Sequence, residues 1–199
     1  MKRDTILESF YIQDNVCEIA KNLLGKELFV RNDGGYHSGI ITETEAYSGV
    51  GDKASHAYGN RRTKRTEVMY CKGGVAYVYL CYGMHHLFNV VANVAGIPDA
   101  VLIRSVLPGK NLWTGDFEKD VVKGKGPGKL SRLLGIGIQH NGISLTGDEV
   151  FITETTISIA DDMIVSDKRI GVDYAGEDAL LPYRFYIKTE YLKNLIDIQ

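Results

Sequence analysis

Cysteine is scarce in this 199-residue chain. Cys17, Cys71 and Cys81 are an odd number with no C-x-x-C spacing. No disulfide framework is expected, and three thiols cannot ligate a four-cysteine iron–sulfur cluster. Such usage points to a reduced, intracellular protein, in the cytoplasm, on the nucleoid or in the nucleus according to source. Long apolar runs are lacking as well. No stretch approaches the roughly 18 residues of a membrane span, and the charged start Met1-Lys2-Arg3-Asp4 leads into no apolar segment of signal-peptide length. No membrane partner is expected. Metal-binding patterns are also missing: there is no H-E-x-x-H, His85 and His86 are adjacent, and His56 and His140 are isolated. Neither a metal nor another cofactor is expected. Repeats and low-complexity tracts are absent. What remains, 44% hydrophobic and 24% charged, is an ordinary globular composition. The length is enough to bury a core in one domain spanning 1–199. Nothing points beyond a monomer.

Positive charge is not in excess overall. The net charge of −2 by itself argues against a polyanionic partner. Its distribution argues the other way. From Gly51 to Gly135 there are 13 Lys and Arg against 6 Asp and Glu, and the rest of the chain has 10 against 19. Such segregation gives a basic face on an acidic body, the footprint that phosphate binding needs, unless folding interleaves the two regions. Arg61, Arg62, Lys64 and Arg65 form the densest cluster and are candidate phosphate contacts. Lys123 to Lys129 is a second basic, glycine-rich stretch. It fails the Walker pattern, because Lys123 stands at the first glycine and Leu130 follows Lys129. A glycine loop entering a helix can still hold one phosphate, which makes Lys129 a further candidate.

Local patterns indicate an α+β fold built on a curved antiparallel sheet with flanking helices. Val16, Ile19, Ala20, Leu23 and Leu24 fall at helical spacing, with Asp14 as N-cap and Gly25 as stop. Strands are expected over 26–31 and 38–47, joined by a turn at Asp33-Gly34-Gly35. Further strands are expected over 75–81, 85–94 and 100–107, with a tight turn at Tyr82-Gly83. That pair makes a protruding hairpin. Residues 111–125 read as polar and irregular, 128–134 as a short helix, and 183–188 as a last strand.

Strand alternation puts Glu43, Glu45 and Tyr47 on one face. A solvated face would make the two acids ordinary. A pocket face would raise the pKa of one and make it a general base, with Tyr47 as a stacking platform. Tyr77 and Tyr79 share a face of the next strand, as core aromatics or as pocket walls. Tyr82 at the hairpin tip is placed to act as a wedge between bases. Arg104 lies inside the apolar run Val101 to Leu107. If buried it needs a carboxylate, for which Glu45 is the natural partner.

These segments in their order resemble the alkyladenine (3-methyladenine, or methylpurine) DNA glycosylase family. The carrying residues are Leu23-Leu24-Gly25, Glu43-Thr44-Glu45-Ala46-Tyr47, Ser55-His56, Tyr77 through Met84, Phe88-Asn89-Val90, Val101-Leu102-Ile103-Arg104, Gly126-Pro127-Gly128-Lys129-Leu130, Arg169-Ile170-Gly171-Val172 and Arg184-Phe185-Tyr186. The resemblance implies a base-excision repair enzyme that flips a damaged purine from duplex DNA and hydrolyses its bond to the sugar. It implies Glu45 as the base that activates water and Arg104 as the residue that helps hold that water. It places Tyr47 on one face of the flipped base, with His56 and Tyr79 on the other. Asn89 would screen exocyclic groups, the backbone near His56 would read the base edge, and Tyr82 would fill the vacated stack. No lysine is implied as a Schiff-base nucleophile, so the expected enzyme is monofunctional and leaves an abasic site. Alkylated purines are the implied substrates, alone or with deaminated and etheno purines. Two other readings stand beside it. One is a module that wedges or flips bases in DNA or RNA without cleaving. The other is a carbohydrate hydrolase using Glu43 and Glu45, although one strand poorly brackets a sugar bond from two sides.

Overall fold

One long strand organises the chain. In the computed structural model, which describes residues 4–195, β2 (Gly35–Tyr47) pairs along both edges. Met1, Lys2 and Arg3 of the charged start lie outside the described residues. The strands around β2 are β1 (Glu27–Asn32), β3 (Ala76–Cys81), β4 (His85–Ala92), β5 (Asp99–Pro108), β6 (Val150–Thr153), β7 (Ile164–Asp167) and β8 (Arg184–Ile187). They form one antiparallel sheet in the order β3-β4-β5-β2-β1-β6, with β8 joined to β2 and β7 joined to β8. Strand β5 follows β2 from Gly39 to Tyr47. The opposite edge is therefore divided: β1 takes Gly35 to Ile40, and β8 takes Glu43 to Glu45. Splitting that edge between two strands curls the sheet around the segment that carries both glutamates.

The helices are α1 (Glu8–Tyr11), α2 (Val16–Asn22), α3 (Phe117–Gly124), α4 (Pro127–Leu134) and α5 (Thr189–Leu192). Helix α2 buries Val16, Ile19 and Ala20, and Leu23 and Leu24 just past its end are buried with them. Its cap is Asn15, one residue later than expected, because the Asn15 side chain accepts from the Cys17 and Glu18 amides at 3.1 and 3.3 Å. The Thr44 hydroxyl donates to the Ala20 carbonyl at 2.8 Å and ties α2 to β2. Helix α4 covers β4 and β5 with Leu130 and Leu134, one turn apart and fully buried. Burial of each such leucine stabilises the fold by about 1.5–3 kcal/mol.

Residues 111–125 are not irregular. They contain α3, whose N-cap Asp116 accepts from the Lys119 amide at 3.2 Å. Asp120, fully buried, accepts from the Thr114 amide and hydroxyl at 2.9 Å. Phe117 and Val121, one turn apart, rest on the main core. With so few apolar positions the period is hard to see, and the helix forms because tertiary packing completes it.

Register between β2 and β5 slips twice. Ile41 faces Val106 and Glu43 faces Ser105, so Thr42 is extra on β2; Thr44 then faces Ile103, so Arg104 is extra on β5. Such bulges bend a strand and re-aim side chains. Arg104 is delivered this way to the glutamates of β2.

Helix α3 ends hard against this segment. A Cβ on Gly124 would sit 1.8 Å from the Val106 carbonyl oxygen. Gly124→Ala must push the helix end off β5, a form of overpacking that costs about 1–3 kcal/mol. The expected result is a thermal midpoint lower by about 5 °C, measured by calorimetry. An unchanged midpoint would mean that the contact yields freely.

Candidate active site

The face of β2 carrying Glu45 and Tyr47 meets the β3–β4 hairpin and the loop around Arg169 at a cavity of 410 Å³. That volume lies within the roughly 300–1,000 Å³ of sites that enclose small ligands. Tyr47, His56, Tyr79, Asn89, Tyr82 and Arg104, drawn from four strands, the loop after β2 and the hairpin turn, all line it. Glu45 lies behind the lining, with no exposed surface. Its Oε2 accepts from the Tyr47 hydroxyl at 2.8 Å and stands 3.2 Å from Arg104 Nη1. Its Oε1 accepts from the Ile170 amide at 2.8 Å. Tyr47, Arg104 and Ile170 are themselves cavity residues. Burial raises the pKa of Glu45, and Arg104, the Ile170 amide and Tyr47 oppose the rise. Tyr47 is driven well up by burial and by Glu45, so it keeps its proton and donates it.

Sequence reading missed the support behind this carboxylate. Arg169 and Asp52, both buried, pair through both guanidinium arms, with Nη2–Oδ1 at 2.8 Å. Arg169 also donates to the Ala46 and Asp178 carbonyls at 2.9 and 3.0 Å. It stacks over Tyr47 at 4.8 Å and over Tyr183 at 5.3 Å. The next residue is Ile170, whose amide reaches Glu45. Residues 52 and 169 are 117 positions apart, and no local pattern links them.

The same cavity is lined by His56 of the loop after β2 and by Tyr77 and Tyr79 of the hairpin. His56 meets Tyr79 edge-on at 4.7 Å, and Tyr77 lies 5.3 Å from Tyr79. Both rings line the cavity, and Tyr77 is also buried core, so for Tyr77 the two sequence readings coincide. Arg65 Nη2 lies 3.0 Å from His56 Nε2. Guanidinium only donates, so Nε2 at the shorter distance accepts from it, and Nδ1 lies 2.9 Å from the Tyr77 hydroxyl. Burial first, then Arg65 and Arg61, lower the pKa of His56 to about 4, so the ring is neutral. Asn89 is buried and donates its amide to the Tyr77 and Leu87 carbonyls at 3.1 and 3.4 Å.

Tyr82 stands at the hairpin tip, 88% exposed, with φ +51° beside Gly83 at +69°. Two successive left-handed residues make the tight turn that presents it. Leu80 and Met84 flank it, also exposed.

The cationic candidates separate by partner. Arg62 is engaged, ion-paired to Glu67 at 2.7 Å and stacked over Tyr70 at 4.7 Å. Arg65 lies over Tyr79 at 4.6 Å and forms no ion pair among the described residues. Arg61, Arg65 and Lys53 line a second cavity of 340 Å³ that shares Ser55, His56 and Tyr174 with the first. Lys64 and Lys129 are exposed. Lys129 lies in the first turn of α4, where Pro127 lines the larger cavity and Gly128 packs on His85 at the hairpin base. Among the described residues, no three His, Cys, Asp or Glu side chains group as metal ligands, and no helix is long and apolar enough to cross a membrane.

A buried carboxylate behind an aromatic cavity, cations beside it and a projecting aromatic tip together suit hydrolysis of a bond in a polyanion with one base drawn aside. The comparisons agree with that class. The profile of the family described as Methylpurine-DNA glycosylase (MPG) matches residues 9–191. A Chlamydia felis protein named "Putative 3-methyladenine DNA glycosylase" is 42% identical over 196 residues, covering 94% of this chain and 98% of its own. A protein of the same name from Bacillus thuringiensis is 46% identical over 192 residues, covering 89% and 93%. One from Bdellovibrio bacteriovorus is 40% identical over 185 residues, covering 91% and 94%. The chain belongs to the methylpurine-DNA glycosylase family and is a DNA glycosylase of base-excision repair.

The neutral, half-buried His56 makes stability depend on pH. Its folded pKa of about 4 lies below the ordinary 6.5. Its contribution is therefore complete above about pH 6.5 and is lost as pH falls toward 4. Thermal midpoints are expected to fall from pH 6.5 to 4.5 in the wild type and less steeply in His56→Gln. Parallel curves in calorimetry would remove His56 as the cause.

Proposed function

We propose that this protein, acting as an intracellular monomer, flips damaged purines from duplex DNA and hydrolyses their N-glycosidic bond, leaving an abasic site. Alkylated purines are the foremost substrates. The carrying observation is Glu45, a fully buried carboxylate held by three donors at the edge of an aromatic cavity.

Excision needs the base out of the stack. Tyr82 enters the duplex as the base leaves, and the tip residues Leu80 and Met84 lie beside it. The base stacks between Tyr47 and the Tyr79–His56 wall. Tyrosine faces attract cations, and both rings already accept a guanidinium, Arg169 on Tyr47 and Arg65 on Tyr79. An alkylated, positively charged purine is suited to the same surface and is already a good leaving group. Little acid catalysis is then needed. Glu45 takes a proton from water as the sugar becomes oxocarbenium-like, and its negative charge stabilises that state. Arg104, beside Glu45 and lining the cavity, helps hold the water. Arg61, Lys64 and Lys129 are placed for phosphates, and Arg62 and Arg65 join them only by leaving their present contacts. No lysine among the described residues lines the cavity beside Glu45, which supports water, not an amine, as the nucleophile.

Two variants test this. Glu45→Gln should lower single-turnover release of methylated purines at least about 100-fold while lesion-duplex affinity is kept. Near-wild-type release would remove Glu45 as the base, and tight binding by a wild type that releases nothing would favour the non-cleaving module. Tyr82→Ser should weaken lesion-duplex binding and extrusion more than the chemical step. Unchanged affinity together with unchanged single-turnover excision would remove the wedge.

A further inference from the structure

Arg104 does not pair with Glu45 alone. Its Nε donates to Glu43 Oε1 at 3.1 Å, while Nη1 meets Glu45 at 3.2 Å. Glu43 is in turn held by the Ser105 hydroxyl at 3.0 Å and by Arg184 Nη1 at 3.1 Å. Arg184 is anchored by Asp167 and by the Lys168 carbonyl. The side chains form a ladder of alternating charge, Asp167–Arg184–Glu43–Arg104–Glu45. Its two ends open on different cavities: Arg104 lines the one described above, whereas Glu43 and Arg184 line another of 490 Å³.

The geometry points to Glu43 as a positioning residue that holds Arg104 to a single point of contact with Glu45. An arginine beside one carboxylate tends toward two parallel hydrogen bonds, one to each oxygen. On Glu45 that arrangement would stabilise the ionised form and weaken it as a base. Here Glu43 claims the Nε edge, and the bulge at Arg104 places the guanidinium where both glutamates reach it. The inference rests on the reading of Glu45 as the base.

The surrounding charges set the sign. Glu43 faces Arg104 on β5 and Arg184 on β8, with Glu118 of α3 and Lys125 lining the same cavity. Glu45 faces Arg104, the Tyr47 hydroxyl and the Ile170 amide, and Asp52 balances the nearby Arg169. Removing the charge of Glu43 leaves Arg104 wholly to Glu45. The carboxylate becomes easier to ionise and poorer at taking a proton.

The test is the pH profile of single-turnover excision for the wild type, Glu43→Gln and Glu43→Asp, with Glu45→Gln as control. In Glu43→Gln the acid limb should move down by about one pH unit and the plateau should fall about 10-fold, with lesion-duplex affinity unchanged. Glu43→Asp keeps the charge but draws it back from Arg104, so it should fall between. An acid limb that stays at the wild-type pH in both variants overturns the proposal, whatever the plateau does. A plateau loss matched by lost affinity and thermal midpoint, without a limb shift, marks Glu43 as merely structural and overturns it too. Activity surviving in Glu45→Gln would instead overturn the reading of the base.

Discussion

A carboxylate with no contact to solvent has to be surrounded by donors, and the active-site end of this protein is arranged around that requirement. Glu45 is such a group. Unpaired, its charge would be costly to bury, and the group would neutralise itself. Arg104, the Tyr47 hydroxyl and the Ile170 amide prevent this. Each comes from a different part of the chain, so strand pairing, loop placement and ring packing must all be correct together. Burial still raises the pKa of Glu45 against these donors. The result is a carboxylate that can be ionised without being saturated, the condition proposed for a base.

The sheet meets the requirement with an irregularity. A regular β2–β5 ladder would place Arg104 by simple alternation. The paired bulges at Thr42 and Arg104 break the register and turn the guanidinium toward two glutamates at once. The split edge of β2 brings β8 alongside, and with it Arg184, which holds Glu43 from the other direction. Helix α3, packed against β5 with no room for a side chain at Gly124, closes the outer side of the bulged segment. Irregular strand geometry and a tight helix contact thus serve one site.

A second tether acts on the cavity wall. The buried Arg169–Asp52 pair joins the loop after β7 to the loop after β2. It sets the Ile170 amide on Glu45 and backs the Tyr47 ring with a planar cation. Its opposite charges nearly cancel, so it orients the wall without adding net charge to it. The exposed cations behave differently. Arg62 is already paired to Glu67, whereas Arg61 and Arg65 flank the cavities with no ion pair among the described residues. Acidic as the whole chain is, it gathers Lys53, Arg61 and Arg65 beside the cavity.

Much of this was legible in the amino-acid order, and for local reasons. Alternation put Glu43, Glu45 and Tyr47 on one face. Glycine after tyrosine marked the hairpin tip, and an arginine in an apolar run demanded a carboxylate. Each rests on neighbours within a few residues, where covalent geometry and period decide. Helix α3 was not legible, because Phe117 and Val121 become a packed face only against a core that the segment itself does not contain. Asp52 gave no signal and Arg169 stood only inside a segment that carries the resemblance, with no role attached, since nothing in either neighbourhood specifies a partner more than a hundred positions away. Nor could alternation foresee the bulges that give Arg104 two glutamates. Which side chains share a strand face, and where the chain turns, follow from backbone period and so from the order of residues alone. Which charges meet is settled in the folded molecule, because burial and distance between remote segments set the cost of leaving a charge alone.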